Sequence, residues 1–403
     1  MSTLIATHSG LRGRPGAGLS DRAVAGTVAG LVELTGLPAT LGLARDGREG
    51  GERLADLVVE TARGCGADVV DLGVVSTPGA KLAARARGLS GLIVVTASHL
   101  GPEWNGLKLA GGPGLLPIDA GSLPAPGGRP GGGRLTSEAG VPREHADAIR
   151  GALDVEAIRA AGLRVSVSGG ADESGELLME MLGCAAGDGH ADLGLRVDAD
   201  ADRLELIDEA GSELDTEVVL PLAAIARRAR RIVKGGDTSR MVDALATEVR
   251  TVPPGELHLV SELASGWGDL AGEGNGGVVV PEVGLSRDGL AAGAAIIELV
   301  ARTGRPVSAL AGELPRFERR RTTVECGSAE EASAALAQLG GSGDPHRGLR
   351  LDGPGDAWAL VRLSATEPVL RLTVEAPACD AADALYDELR SRLLSAVPGM
   401  RKP

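Results

Sequence analysis

The first 95 residues alternate helix-forming and strand-forming segments, which very few folds accommodate. Amphipathic stretches predict helices from Ser20 or Asp21 to about residue 34, where Gly36 ends the helix, and over residues 52–63 and 80–87. Short aliphatic runs at 40–44, 68–72 and 91–95 predict strands. Strands alternating with helices form a parallel sheet that the helices cover. The pattern therefore predicts an α/β chain that begins with a βαβαβ unit.

The rest of the chain repeats this alternation, and 403 residues are too many for one ordinary core. We expect a Gly- and Pro-rich mobile loop at 111–134 and a second α/β unit that is shortened between residues 183 and 192. Residues 235–240 are predicted to open a helix in a third unit, and an apolar helix follows Arg287-Asp288-Gly289. The last part predicts strand, helix, strand, strand and helix. The expected domains are residues 1–138, 139–232, 233–316 and 317–403.

Composition narrows the possible function classes. The formal net charge is −14, and aromatic residues make up only 1% of the chain. Electrostatic repulsion and the lack of stacking side chains argue against a nucleic acid or an anionic membrane as partner. We see no apolar run of about 18 residues and no signal peptide, and the four scattered cysteines lack metal or disulfide spacing. We therefore expect a cytoplasmic protein with aliphatic cores.

A serine follows the third strand of the βαβαβ unit. The strand is continued by Thr96-Ala97-Ser98-His99, and a later loop ends in Lys108. Open α/β sheets place their chemistry at the carboxyl ends of strands. Ser98 is thus a candidate nucleophile, with an ordinary capping serine as the alternative.

Three aspartates at alternate positions follow the strand-like segment 192–197. Asp198, Asp200 and Asp202 would repel one another unless a cation neutralised them, and oxygen ligands of this kind suit Mg²⁺ or Ca²⁺. Arg203 replaces the glycine that an EF-hand needs at this point, and residues 204–207 predict a strand rather than an exiting helix. A solvated acidic turn is the alternative to a metal site.

Basic and hydroxyl side chains cluster near the C-terminus in Arg362-Leu-Ser364-Ala-Thr366-Glu367-Pro-Val-Leu-Arg371. Guanidinium groups match the geometry of a phosphate with bidentate, charge-assisted hydrogen bonds. A surface strand with incidental charges is the alternative. Together with the serine and the three aspartates, a phosphate clamp describes phosphoryl transfer.

Two further segments complete a recognisable series, Thr7-His-Ser9-Gly10-Leu-Arg12-Gly13 and Gly272-Glu273-Gly-Asn275-Gly-Gly277. Together with the serine, aspartate and arginine segments described above, and in the same order along the chain, these two segments resemble those of the α-D-phosphohexomutase family. This family includes phosphomannomutases, phosphoglucomutases and phosphoglucosamine mutases. The resemblance covers nearly the whole chain and implies three α/β units with mixed sheets, plus a small α+β unit, around a central cleft. Leu100-Gly101 departs from the family's Asn-Pro, and Ser168-Gly-Gly170 also differs from the usual segment.

The resemblance implies roles for individual residues. Ser98 would carry the phosphate and, with Asp198, Asp200 and Asp202, hold Mg²⁺, while His99 and Lys108 would move protons. The remaining candidates would bind substrate: Arg12, Arg203, His258, Glu273, Asn275, Arg362, Ser364, Thr366, Glu367 and Arg371. A hexose 1,6-bisphosphate would be both intermediate and activator.

The expected function is interconversion of hexose 6-phosphate and hexose 1-phosphate of the mannose or glucose type, by a monomer or homodimer. Phosphoglucosamine is the nearest alternative substrate, and a phosphopentose remains open. Two alternatives belong to other functional classes. One is a catalytically weak paralogue that senses sugar phosphates. The other is an aspartyl phosphatase, in which the first Asp of an Asp-x-Asp pair is the nucleophile and no phosphoserine forms.

Overall fold

A computed structural model describes residues 4–7, 10–112, 114–125, 131–187, 190–326, 328–341, 345, 347–364 and 369–396. Within these residues the chain forms four sheets in succession, with helices packed on them. The predicted α/β class, with mixed sheets and an α+β C-terminal part, is confirmed. None of the described helices is both long and apolar enough to cross a bilayer.

The first sheet contains the strand that leads to Ser98. Its strands are β1 (Ile5–Thr7), β2 (Gly10–Gly13), β3 (Thr40–Arg45), β4 (Asp68–Val74), β5 (Gly91–Val95), β6 (Asn105–Gly111), β7 (Leu116–Pro117) and β8 (Leu135–Ser137). Their order is β1-β2-β6-β5-β3-β4-β8, with β7 paired to β6. As predicted, β5 is parallel to β3, but it is antiparallel to β6. The parallel βαβαβ unit is confirmed, whereas the expected loop that ends in Lys108 forms part of β6, because a short connection without a helix lets the chain reverse after β5.

Three helices cover this sheet as predicted: α1 (Asp21–Thr35), α2 (Gly51–Gly64) and α3 (Thr77–Ala86). The side chain of Ser20 accepts a hydrogen bond from the backbone of Ala23 and caps α1, which ends at Gly36 in a left-handed conformation. The predicted loop at 111–134 contains β7 and a 3₁₀ helix, Ala120–Ser122, while residues 113 and 126–130 lie outside the described part.

The second and third sheets share one aliphatic core. Their strands are β9 (Arg164–Gly169), β10 (Ala185–Ala186), β11 (Leu193–Val197) and β12 (Leu204–Ile207), then β13 (Arg231–Gly235), β14 (Glu248–Val252), β15 (Leu270–Gly272) and β16 (Val278–Val279). Their helices are α4 (Val141–Gly151), α5 (Val155–Ala161), α6 (Ser174–Leu182), α7 (Val219–Arg227), α8 (Glu256–Ala264), α9 (Gly289–Thr303) and α10 (Val307–Gly312). The predicted apolar helix is α9, which is buried over most of its length. Residues 235–240 open only a five-residue 3₁₀ helix, Arg240–Ala244.

The fourth sheet has the order β17-β20-β19-β18 and packs against two helices. Its elements are β17 (Glu318–Glu325), α11 (Ala329–Gln338), β18 (Leu349–Asp352), β19 (Trp358–Leu363), β20 (Val369–Ala376) and α12 (Cys379–Ala396). Strand β18 was not predicted, because it is an edge strand whose side chains are intermediate or exposed and it has no apolar run to reveal it.

A buried ion pair joins the first and third units. Lys81 on α3 donates to Glu256 Oε1 on α8 at 2.8 Å, and the same oxygen accepts from Ser286 Oγ and the backbone N–H of Arg287 at 3.0 Å each. Burial opposes ionisation of this carboxyl, but Lys81 and Arg287 lower the pKa of Glu256 to about 2. The carboxylate therefore stabilises the folded state in its charged form.

Replacing Glu256 with glutamine should lower the free energy of unfolding by about 3 kcal/mol at pH 7, measured by urea unfolding. The folded-state pKa lies below the ordinary value of 4.5, so the stabilisation is complete above pH 4.5 and is lost as the pH falls towards 2. The difference between wild type and Glu256→Gln should therefore shrink to less than half by pH 3. Glu262→Gln, on the same helix but in a more exposed pair with Arg250, should cost under about 1 kcal/mol. Equal losses in both variants would contradict this account.

Candidate active site

Side chains from all four units line one cavity of about 520 Å³. Ten residues named from the sequence lie on its wall: Arg12, Ser98, His99, Lys108, Arg203, Glu273, Asn275, Arg362, Ser364 and Arg371. His258 lies in the first turn of α8 and is not among the described lining residues; the chain just before it, at Pro254 and Gly255, lines the cavity instead. Thr366 and Glu367 lie outside the described residues.

Ser98 is held in an uncommon backbone conformation at the carboxyl end of β5. Its φ is 55°, in the left-handed region, and its side chain points its Oγ at Asp198 Oδ2, 2.8 Å away. The backbone N–H of Ser98 donates to Thr96 Oγ1 at 2.8 Å, and Arg48 Nη2 donates to the Ser98 carbonyl at 2.7 Å. Strain of this kind persists only where the surroundings fix it, and here it brings the hydroxyl to the acidic loop.

Two residues that sequence reasoning missed support this loop. Asp46 accepts from Thr96 Oγ1 at 2.6 Å and from Arg48 Nε at 2.8 Å. Both Asp46 and Arg48 directly follow β3, the parallel neighbour of β5. Because carboxyl ends of parallel strands meet at one sheet edge, their position in the predicted βαβαβ unit could have identified them.

The carboxylates of Asp198, Asp200 and Asp202 converge so that one oxygen from each lies within 4.8 Å of the others. Ala201 between them has a φ of 56°, which turns the loop back on itself. Asp200 and Asp202 are fully buried, and Thr77 Oγ1 at the start of α3 donates to Asp200 Oδ2 at 2.5 Å. Burial, followed by repulsion from Asp202 and Asp200, raises the pKa of Asp198 to about 7.

Lys108 lies between two of these aspartates. Its Nζ donates to Asp200 Oδ2 and to Asp202 Oδ2, each at 2.5 Å. Burial alone would lower the pKa of Lys108, but the charges of Asp200 and Asp202 outweigh it and raise the pKa above its ordinary value. In this state the side chain is therefore an ammonium that neutralises part of the acidic loop.

Arg287 connects the acidic loop to the Gly-rich segment that contains Glu273. Its Nη2 donates to Asp202 Oδ2 at 2.6 Å and its Nη1 donates to Glu273 Oε2 at 2.7 Å. Burial opposes the charge on Asp202, yet Arg287 and Lys108 hold the pKa of Asp202 well below its ordinary value. From the sequence, Arg287 is identified only as a residue preceding the apolar helix, because nothing local indicates two partners 14 and 85 residues away.

The Gly-rich segment presents its polar groups in fixed positions. Glu273 Oε1 accepts from the backbone N–H of Gly255 at 2.8 Å, and Asn275 Oδ1 accepts from that of Gly277 at 3.0 Å. Asn275 retains its amide N–H groups as donors, since its oxygen makes the loop contact. The cavity wall here therefore offers both acceptors and donors to a polyhydroxylated ligand.

Three more cationic or imidazole side chains surround the acidic loop. Arg12 is buried and donates to the carbonyls of Leu11 and Leu107, and burial lowers its pKa to about 10, so that it stays charged at neutral pH. Arg203 Nε lies 3.7 Å from Asp202 Oδ1. Desolvation, together with the positive charges of Arg203 and Arg371, lowers the pKa of His99 and keeps its imidazole neutral.

The C-terminal sheet supplies guanidinium groups to the wall of the same cavity. Arg362 on β19 is directly opposite Arg371 on β20, and Arg362 Nη2 donates to Asp237 Oδ2 at 2.8 Å. Burial opposes ionisation of Asp237, but Arg362 lowers its pKa below the ordinary value. Ser364 is buried beside them and donates its backbone N–H to the carbonyl of Val369.

The acidic loop fits a hard divalent cation. Asp200 Oδ1 and Asp202 Oδ1 are buried oxygens with no hydrogen-bond partner among the described residues. Unpaired buried carboxylate oxygens are costly unless a cation or water satisfies them. The cluster contains only oxygen ligands, which match Mg²⁺ or Ca²⁺ better than zinc.

Comparison with known proteins identifies the family of this chain. Three models of the phosphoglucomutase/phosphomannomutase family match the chain: alpha/beta/alpha domain I at residues 4–120, alpha/beta/alpha domain III at 222–317 and the C-terminal domain at 328–392. A phosphoglucomutase/phosphomannomutase of Thermococcus kodakarensis is 31% identical over 87% of this chain and 88% of its own length. A phosphoglucosamine mutase of Frankia alni is 28% identical over the full length of both chains.

A solved phosphoglucomutase/phosphomannomutase family protein from Burkholderia thailandensis shares the fold, with a TM-score of 0.73, 23% identity and 98% coverage of both chains. Matches to the models of domains I, III and IV and to a relative that is 31% identical over 87% of this chain leave one assignment. The chain belongs to the phosphoglucomutase/phosphomannomutase family, the α-D-phosphohexomutases.

Proposed function

We propose that this protein is a phosphohexomutase that interconverts hexose 6-phosphate and hexose 1-phosphate of the mannose or glucose type. The observation that carries the proposal is that Ser98, its partner Asp198 and the guanidinium of Arg362 belong to one site. Asp198 lies 100 residues after Ser98 in the chain, and Arg362 lies 164 residues after Asp198. A serine hydroxyl and guanidinium groups that line the same cavity match a substrate that carries both a phosphate and a reacting hydroxyl.

The reaction proceeds in two transfers. Phosphorylated Ser98 gives its phosphoryl group to the free C1 or C6 hydroxyl of the bound sugar phosphate; the P–O bond to Ser98 breaks, a P–O bond to the sugar forms, and the hydroxyl proton leaves to a base. The 1,6-bisphosphate then turns in the cavity and returns its other phosphoryl group to Ser98. Positioning accounts for much of the acceleration in such transfers.

His99 and Lys108 are the proton carriers in this proposal. His99 faces the cavity as a neutral imidazole, and we assign it the role of accepting the hydroxyl proton. Lys108 is held as an ammonium by Asp200 and Asp202, and a cation bound to these carboxylates would weaken their hold on it. Lys108 then acts as the proton donor or acceptor on the opposite side of the transfer.

Asp198, Asp200, Asp202 and the phosphorylated Ser98 would hold Mg²⁺, which when bound supplies charge neutralisation to the phosphoryl group. Glu273 and Asn275 bind sugar hydroxyls, and Arg362, Ser364 and Arg371 bind the phosphate that does not react. A hexose 1,6-bisphosphate activates the enzyme by phosphorylating Ser98. We also propose that residues 1–138, 139–232, 233–316 and 317–403 are its four domains.

A glucosamine phosphate is the second candidate substrate, because the full-length relative at 28% identity is a phosphoglucosamine mutase. The test is a panel of mannose, glucose, glucosamine and pentose 1-phosphates, incubated with Mg²⁺ and the matching 1,6-bisphosphate and followed by ³¹P NMR. We expect migration of the phosphate with mannose or glucose. Migration with glucosamine alone would select the alternative, and no migration with any sugar would overturn mutase function.

A further inference from the structure

The face of the C-terminal sheet that lines the cavity carries more guanidinium groups than the sequence motif contains. Thr323 on β17 is opposite Arg371 on β20, which is opposite Arg362 on β19, so these three form one row. Arg321 lies two residues before Thr323 on β17, opposite Thr373. Because side chains alternate between faces along a strand, Arg321 shares the face of Arg362 and Arg371.

Arg321 is directed into the cavity and is only partly engaged. Its side chain is 49% exposed, and within the described residues it makes one hydrogen bond, from Nη2 to Glu217 Oε1. Its Nε–H and Nη1–H groups retain donor capacity toward the cavity that it lines. Adjacent same-face positions on a strand are about 7 Å apart, within the reach of an arginine side chain.

The position of the Glu217 carboxylate does not depend on its contact with Arg321. Glu217 also forms an ion pair with Arg319, whose side chain is only 11% exposed, and it accepts from the backbone N–H of Ser239 at 2.8 Å. A Cβ at Gly274 would collide with the Glu217 carboxylate, so this carboxylate also packs against the Gly-rich segment. Glu217 therefore remains paired and in place if Arg321 turns to another anion.

We propose that Arg321 is a third phosphate-binding arginine, which exchanges contact with Glu217 for contact with the phosphate held by Arg362 and Arg371. This inference rests on the proposed function for the identity of its ligand, a sugar phosphate. The guanidinium fork matches two phosphate oxygens, and a charge-assisted pair of this kind is stronger than a neutral hydrogen bond. Arg321 thereby defines the side of the phosphate site that faces the Gly-rich segment.

The test is calorimetric binding of glucose 6-phosphate and of inorganic phosphate to the full-length protein carrying Ser98→Ala, which prevents turnover. Adding Arg321→Gln should weaken both affinities by about 10- to 100-fold. Glu217→Gln, which releases Arg321 but leaves its charge, should leave the phosphate affinity unchanged or increase it. Arg321→Lys keeps the ion pair with Glu217 but lacks the planar fork, so its phosphate affinity should lie between those of the wild type and Arg321→Gln. If the glutamine variant does not fold, the affinity of Arg321→Lys tests the proposal in its place.

Unchanged affinity in Arg321→Gln would overturn the proposal. So would an equal loss in Glu217→Gln, because that result would make the pair a structural contact between units. Mutase activity of the wild type, measured separately, distinguishes failure of this inference from failure of the proposed function. If the wild type is active and Arg321→Gln has unchanged affinity, only this inference is rejected. Inactive enzyme with phosphate affinity that depends on Arg321 rejects only the proposed function.

Discussion

Replacing Ser98 with alanine is expected to lower kcat for phosphate migration by at least about 10⁴-fold, because the variant has no oxygen to carry the phosphoryl group. The remaining site would bind the sugar phosphate but could not exchange its phosphate. The same hydroxyl donates to Asp198 Oδ2 at 2.8 Å, so the variant also loses this contact with the acidic loop. The measurement is the coupled mutase assay, together with mass spectrometry of the peptide containing residue 98 after incubation with a hexose 1,6-bisphosphate.

The matched control is Ser122→Ala, which removes a hydroxyl from the same unit at an exposed 3₁₀ turn where it contacts only a backbone carbonyl. Its activity should equal that of the wild type. Substrate affinity in Ser98→Ala should change by no more than a few-fold, since the proposed phosphate-binding residues Arg362, Ser364 and Arg371 are unchanged in this variant. Full turnover by Ser98→Ala, or a phosphorylated aspartate in place of a phosphoserine, would reject the mechanism and favour an aspartyl phosphatase.

Changing Asp200 to asparagine should reduce activity by about 10³-fold and weaken Mg²⁺ binding by at least about tenfold. Asp200 has one buried oxygen without a described partner, and its other oxygen accepts from Thr77 and Lys108. An amide at this position removes one charge of the three and turns a donor nitrogen toward either the cation or Lys108. Activity is measured against Mg²⁺ concentration, and metal affinity by calorimetry.

Chelation of the wild type with EDTA should produce the same loss of activity, and adding Mg²⁺ should restore it. Asp208→Asn is the control, because Asp208 lies in the exposed turn after β12 and accepts only backbone hydrogen bonds. This control should retain the Mg²⁺ dependence of the wild type. Undiminished turnover in the presence of EDTA would show that the three aspartates serve some purpose other than holding a catalytic cation.

Periodicity and local signals identified most elements of the fold. Ser20 and Gly36 delimited α1, and the aliphatic run at 91–95 located β5, because both signals depend on neighbours within a few residues. The strands that were not predicted are those whose pairing depends on segments outside their local sequence. The antiparallel partner of β5 and the edge strand β18 depend on how the chain turns and on what covers it, and the local pattern of apolar residues does not encode either.

Residue types and their order along the chain set the chemistry available to this protein: a serine after a buried strand, three alternating aspartates, and arginines with hydroxyls near the C-terminus. Which of these groups come into contact depends on how segments far apart in the chain pack together. Arg287 joins Asp202 to Glu273, Glu217 joins Arg319 and Arg321 to the turn at Ser239, and Lys108 lies between two aspartates. The physical reason is that residue type fixes charge and hydrogen-bonding capacity, whereas an ion pair also requires two groups within about 4 Å, and that distance is set by how the four units pack around the cavity.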